Sequence, residues 1–299
     1  MNINCAYPNY AQKQNNKYCA DSPYFKGGQS LCSLNPINYQ AKKLFMRSQE
    51  ASHHRIHDVI PRLKSYTKEI KVGQSYAWDI NPNDRKKYLI VLHGTSQNIS
   101  NLQILYKAVA EDTDYAIFAP EYRGFGKNPQ CKLSEKALTE DTNNAIKYLN
   151  TKGIKSSDIA ILGHSFGGFL AAKATKDNSD LEKLILVSPI ASIDSQVINY
   201  NAITRNKLSK FAKFLLVNFK ILRKSLKKIL RMDNYVKTTN IPIDIIHSKH
   251  DNVVNVESAY ELSKLCKNLE GIYILQDSSH IMDKAKVNAI VTVLNKKKQ

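Results

Sequence analysis

Short, unbroken apolar runs recur along the chain, each ending in a cluster of small or polar residues. They are Tyr88-Leu-Ile-Val-Leu92, Tyr115-Ala-Ile-Phe-Ala119, Ile159-Ala-Ile-Leu162, Leu184-Ile-Leu-Val187, Ile243-Asp-Ile-Ile246 and Ile272-Tyr-Ile-Leu275. Runs that are apolar throughout, rather than alternating, suit strands buried on both faces of a parallel sheet. Ser65 to Val72 and Ser75 to Ile80, separated by Gly73-Gln74, predict a β-hairpin ahead of them. Between the runs the period changes to that of a helix. Leu102, Leu105, Tyr106, Val109 and Ala110 share one face between Ile99 and Thr113, and Ser134 is placed to cap a helix reaching Lys152. A last amphipathic helix is predicted from Met282 to Leu294. Strands alternating with helices predict an α/β fold with a mostly parallel, doubly wound sheet. In such sheets the ligand site lies outside the carboxyl ends of the strands.

Two regions depart from this rhythm. Residues 1–60 are rich in Asn, Gln, Lys and Tyr and show no sustained period, which predicts a partly ordered extension with a short helix from Tyr39 to His54. His53, His54 and His57 have no carboxylate or cysteine at ligand spacing, so they read as exposed histidines rather than metal ligands. The second region, residues 191–238, interrupts the alternation and divides the predicted core into 61–190 and 239–299.

The chemistry concentrates where the runs end. The run from Ile159 leads into Gly163-His164-Ser165-Phe166-Gly167-Gly168, followed by small and apolar residues at helical spacing. A serine on so tight a strand-to-helix turn sits in strained backbone, and the residues two before and two after it need to be almost free of side chain. The helix that follows aims its free N–H groups at any anion forming there. This stretch resembles the nucleophile elbow of the α/β-hydrolase superfamily. His93-Gly94-Thr95 and Tyr122-Arg-Gly-Phe-Gly126 lie where that superfamily keeps its oxyanion turn and a recurring loop. They resemble the subgroup that holds lysophospholipases, monoacylglycerol lipases, serine-peptidase-like members and protein depalmitoylases.

The resemblance covers about Tyr66 to Leu294 and implies a triad in the chain order Ser165, Asp251, His280. It also implies an oxyanion hole from the backbone N–H groups of Phe166 and Thr95, and a helical cap over the site at 191–238. Asp194 is the alternative acid. His164, His247 and His250 are expected to be neighbours of the triad rather than its base, and His93 is expected to fix the oxyanion loop. The Ser278-Ser279 pair before His280 stands where a Gly-rich turn is usual. The implied reaction is acyl transfer to serine on an ester or thioester of a lipid, lysolipid or acylated protein, with no cofactor and no metal. A soluble small-molecule esterase or peptidase-like hydrolase, and a catalytically silent binding protein, are the alternatives.

Charge changes this picture at one place. The chain carries 44 Lys and Arg against 26 Asp and Glu, a formal charge of +18. From 201 to 231 basic residues including Lys220, Arg223, Lys224, Lys227 and Lys228 occur with no acid, around an apolar stripe of Leu208, Phe211, Leu215, Phe219, Leu222, Leu226 and Ile229. That pattern reads as an amphipathic element for an anionic membrane surface, or as a cap helix whose apolar face covers the acyl pocket. No aromatic-interleaved nucleic-acid motif accompanies it. No apolar run approaches membrane-spanning length, no signal peptide is evident, and the odd number of cysteines, among them Cys5, Cys19 and Cys32, suits a reducing compartment. The expectation is a cytoplasmic protein, peripherally attached to membrane if the basic stretch docks there.

Overall fold

The computed structural model describes residues 59–95, 97–126, 134–191 and 231–296. The hairpin forms as expected from β1 (Thr67–Val72) and β2 (Ser75–Ile80), with Val72 opposite Ser75. Gly73 closes the two-residue turn at φ +61°, a left-handed conformation that glycine adopts without steric cost. β2 runs antiparallel to β4 (Tyr115–Pro120), and β4 runs parallel to β3 (Lys87–Leu92). From β3 the sheet continues in parallel through β5 (Ile159–His164), β6 (Lys183–Val187), β7 (Ile243–Ser248) and β8 (Leu269–Leu275). Among the described residues the sheet has eight strands in the order β1-β2-β4-β3-β5-β6-β7-β8. The fold is that of an α/β-hydrolase, with the direction of strand addition reversing at β3.

Alternation along each apolar run explains why all of it is apolar. Tyr88, Ile90 and Leu92 enter one core layer while Leu89 and Val91 enter the other. The first layer is covered by α3 (Glu135–Thr151), α4 (Phe166–Asp177) and α6 (Glu257–Leu265), and the second by α2 (Gln103–Asp112) and α7 (Lys284–Leu294). A short α1 (Pro61–Lys64) precedes the hairpin, and α5 (Asp233–Val236) leads back to β7.

The differences from the sequence reading have local causes. The helix expected from Ile99 opens as a 3-10 turn over Ile99–Leu102, because the Asn98 side chain accepts the Ser100 N–H and closes a capping box with Asn101. The apolar pattern does not announce α6, since the residues it buries are Ser258, Ala259 and Leu262, too small and mixed to make an apolar stripe. Ser134 does cap α3, its side chain accepting the Ala137 N–H. The described end of the 191–238 region packs into the core: Met232 and Val236 are wholly buried with α4 and β6. The extension before residue 59, the basic stretch from 201 to 230, Asp194 and the prolines and cysteines of the N-terminal segment lie outside the described residues.

Candidate active site

Five strand ends converge at the carboxyl edge of the sheet: His93 after β3, Glu121 after β4, Ser165 after β5, Asp251 after β7 and His280 after β8. β3 and β5 are neighbours at the point where strand order reverses, the place an open α/β sheet leaves a crevice.

Ser165 is held in the turn that the two glycines allow. Its backbone lies at φ 55° and ψ −118°, and its N–H donates to the Val187 carbonyl on β6 at 2.8 Å. That conformation is costly for a residue with a side chain and is maintained only because neighbouring structure determines it. A side chain on Gly163 would put its Cβ 2.3 Å from the Gly167 carbonyl oxygen. Gly167 is constrained by a different neighbour, since its Cβ would lie 2.2 Å from the carbonyl oxygen of Leu92 on β3. The elbow is therefore squeezed from within and from the adjacent strand.

The three predicted triad residues meet. His280 Nε2 lies 3.2 Å from Ser165 Oγ, and His280 Nδ1 lies 2.9 Å from Asp251 Oδ2 and 3.1 Å from Oδ1. A carboxylate can only accept, so Nδ1 carries the proton and Nε2 presents its lone pair to the serine hydroxyl. The Asp251 side chain is fully buried, and burial pushes its carboxyl up. The hydrogen bond and charge of His280, with the N–H groups of Val254 and Val253 at 2.8 and 2.9 Å, outweigh this and hold it at about 2.

The two predicted oxyanion donors are the N–H of Phe166, next to Ser165 in sequence, and the N–H of Thr95, after β3. Neither the Phe166 N–H, at the start of α4, nor the Thr95 N–H donates to any described group. The loop carrying Thr95 runs close to Ser165: a Cβ on Gly94 would sit 3.4 Å from Ser165 Cβ.

Three of the other histidines, His93, His164 and His247, are buried beside these residues, whereas His250 is exposed. His93 is buried, with Nδ1 donating to the Gly94 carbonyl at 2.9 Å and Nε2 2.7 Å from Glu121 Oε1. Tyr122 Oη donates to the His93 carbonyl at 3.1 Å. Glu121 and Tyr122, after β4, thus brace the His93-Gly94-Thr95 turn. His247 donates from Nε2 to the Val254 carbonyl at 3.0 Å, and burial lowers its pKa. His164 bridges Gln97 Oε1, 2.8 Å from its Nδ1, and the His280 carbonyl, 2.9 Å from its Nε2; burial, aided by the charge of His280, holds it down to about 3. Glu121, Gln97 and the buried Lys286 escape a sequence reading because their roles depend on partners far away in the chain. Among the described residues no cluster of three His, Cys, Asp or Glu side chains is arranged for a metal.

Residues 83–236 match the family described as serine aminopeptidase, S33. The chain belongs to that family. The matched span contains Ser165 and ends before Asp251 and His280, so this family's match leaves acid and base to the geometry. Among curated relatives, YfhR of Escherichia coli O157:H7 is 26% identical over 197 residues, 64% of this chain and 62% of that one. ABHD12B of Homo sapiens is 26% identical over 205 residues, 66% of this chain and 54% of that one. The chain spans less than two thirds of either relative's length. An esterase of Pyrococcus furiosus shares the fold of this family member with a TM-score of 0.58 at 19% identity, covering 76% of this chain and 88% of that structure.

Proposed function

We propose that this member of the serine aminopeptidase S33 family is a serine hydrolase that works through an acyl-enzyme. The observation that carries this reading is the hydrogen-bonded series Ser165 Oγ, His280, Asp251 at 3.2 and 2.9 Å. His280 Nε2 takes the hydroxyl proton as Ser165 Oγ attacks a carbonyl carbon. Asp251, ionised down to about pH 2, keeps the Nδ1 tautomer and stabilises the imidazolium that forms. The tetrahedral oxyanion is received by the free N–H groups of Phe166 and Thr95, each contributing about 3 kcal/mol in sites of this kind. Collapse expels the leaving group with the proton from Nε2. Water, deprotonated by the same nitrogen, then attacks the acyl-serine and releases the acid and the free hydroxyl.

The substrate class we favour is an ester or thioester with an apolar acyl group. Ile281, next in sequence to His280, leaves 65% of its surface exposed, which suits contact with an apolar chain. A fluorophosphonate probe tests the mechanism: wild type labels at Ser165 and Ser165→Ala does not, while the variant keeps its fold by circular dichroism. Labelling that persists in the variant refutes Ser165 as nucleophile. A series of p-nitrophenyl esters from acetate to palmitate, with an aminoacyl p-nitroanilide alongside, tests the substrate class. Preference for acetate or for the anilide would replace the favoured class by the small-ester or peptidase reading.

A further inference from the structure

Lys286, in the first turn of α7, is completely buried, and its ammonium group lies directly behind the loop that carries the proposed base. Nζ is in hydrogen-bond contact with Ser248 Oγ at 2.6 Å, Ser278 Oγ at 3.0 Å, the Ile281 carbonyl at 3.2 Å and the Ser279 carbonyl. No described carboxylate forms an ion pair with it. Burying a charge without a counter-ion is expensive, and a methionine or leucine would fill the same space at no such cost. The contacts show what the charge does instead. Two of its acceptors are the carbonyls of Ser279 and Ile281, the residues on either side of His280.

The serines extend the same clamp. Ser248 Oγ, at the end of β7, lies 2.8 Å from both Ser278 Oγ and the Ser279 carbonyl. Ser278 Oγ donates to Asp283 Oδ2 at 2.7 Å, and Asp283 caps α7 by accepting the Lys286 N–H at 3.1 Å. In place of a Gly-rich turn, the base loop is pinned to β7 and α7 by one ammonium and three polar side chains.

We infer that Lys286 is a positioning residue of the active site, fixing the His280 loop through the flanking carbonyls and placing a positive charge behind the imidazole. This rests on the serine-hydrolase reading above. The charged and titratable groups around it are Asp283 on its own helix start, Asp251 after β7, His247 at the end of β7, His164 at the end of β5 and His280 itself. Burial lowers the Lys286 pKa against the pull of Asp283 and Asp251, and its charge contributes to the lowered values of His164 and His247. The field of the ammonium thus reaches the groups that surround the base.

The test compares wild type, Lys286→Met and the double variant Ser248→Ala/Ser278→Ala in ester hydrolysis and in the rate of fluorophosphonate labelling. A loop displaced by about 1 Å costs on the order of 100-fold in turnover. Lys286→Met is expected to lose at least that in kcat and in labelling rate, with KM within about threefold. Removing a positive charge near an imidazolium favours the protonated ring, so the acid limb of kcat/KM should move to higher pH by about half a unit or more. The double serine variant keeps the charge and is expected to lose about tenfold in kcat with the acid limb unmoved. Lys286→Met with wild-type kcat, or with a lower kcat but an unshifted acid limb, overturns the inference. If the methionine variant fails to fold, wild-type kcat in the double serine variant overturns it. A wild type that neither hydrolyses esters nor labels removes the serine-hydrolase reading and this inference with it; labelled wild type with an equally fast Lys286→Met removes the inference alone.

Discussion

His164 and His280 meet ring to backbone: Nε2 of His164 donates to the carbonyl of His280 at 2.9 Å, and the two rings stand 5.2 Å apart, centroid to centroid. A carbonyl only accepts, so the buried His164 carries a proton on Nε2, and its Nδ1 lies 2.8 Å from the side-chain oxygen of Gln97. The Gln97 amide also reaches the Gly94 N–H, at 2.9 Å. His164, beside Ser165, thereby links the His280 loop to the His93-Gly94-Thr95 loop.

That arrangement has a pH signature. The His164 value of about 3 lies well below the ordinary histidine value near 6.5. Below about pH 6.5 the unfolded chain takes up a proton that the folded chain does not. The contribution of His164 is therefore complete above that pH and is lost as pH falls. Between pH 6.5 and 5 the expected loss is on the order of 2 kcal/mol. Asp251, held near 2, adds to acid lability only below about pH 4, where its unfolded form begins to protonate. Thermal melts at pH 7.5, 6.5, 5.5 and 5 check this. His164→Gln should flatten the decline, with His247 left to supply the remainder; an identical slope in the variant would disprove the assignment.

Replacing the acid tests the triad at its other end. Asp251→Asn keeps the shape but lets the amide donate where the carboxylate accepted, which favours the wrong imidazole tautomer. Turnover should fall by about 10⁴-fold. Asp194→Asn, outside the described residues, serves as the comparison, and a greater loss there would transfer the acid's role to Asp194.

The buried His93–Glu121 pair makes a stability prediction. Glu121→Ala leaves His93 Nε2 buried without its partner and should cost about 3–5 kcal/mol in urea unfolding. Glu121→Gln can donate its amide N–H to Nε2 and should recover at least half of that loss. Equal stability for both variants would mean that the lost contact is packing rather than the polar pair.

Two glycines with different surroundings give a contrast within one experiment. A Cβ at Gly167 would overlap the Leu92 carbonyl, so Gly167→Ala should abolish soluble folded protein or at least hydrolysis and labelling. Gly153 is at φ +83°, and a Cβ there would have no neighbour within 4 Å, so Gly153→Ala should cost only about 1 kcal/mol in backbone strain. If both variants behave alike, backbone conformation and not the close approach of β3 decides the elbow.

The basic stretch from 201 to 231 carries our proposal of an anionic membrane partner. Each Lys or Arg near such a surface contributes about 1 kcal/mol, screened over about 8 Å at physiological salt. Co-sedimentation with anionic vesicles should therefore be strong at low salt, weak at high salt and absent for neutral vesicles. Changing Lys220, Arg223, Lys224, Lys227 and Lys228 to Gln should abolish it. Equal behaviour of variant and wild type would leave the cap-helix reading of that stretch.

Much of this protein was written in local patterns. Apolar runs along β3, β5 and β6 betray strands buried on both faces, because burial of alternate residues in two layers leaves no position for a polar one. The Gly163–Ser165–Gly167 spacing reports a turn that is local in sequence, and Asp251 and His280 each come after a strand, where the resemblance to α/β-hydrolases implied that they meet Ser165. Other contacts have no local signature. Glu121 meets His93 across 28 residues, Gln97 meets His164 across 67, and Lys286 reaches Ser248 across 38. A lysine at that position in an amphipathic helix looks like any solvated charge until β7, β8 and α7 close around it. The reason Gly167 must be glycine also came only with the sheet, since the obstructing atom is the Leu92 carbonyl of another strand. Sequence periodicity records which face a residue shows to the core; which polar group it finds there depends on how strands distant in the chain are set side by side.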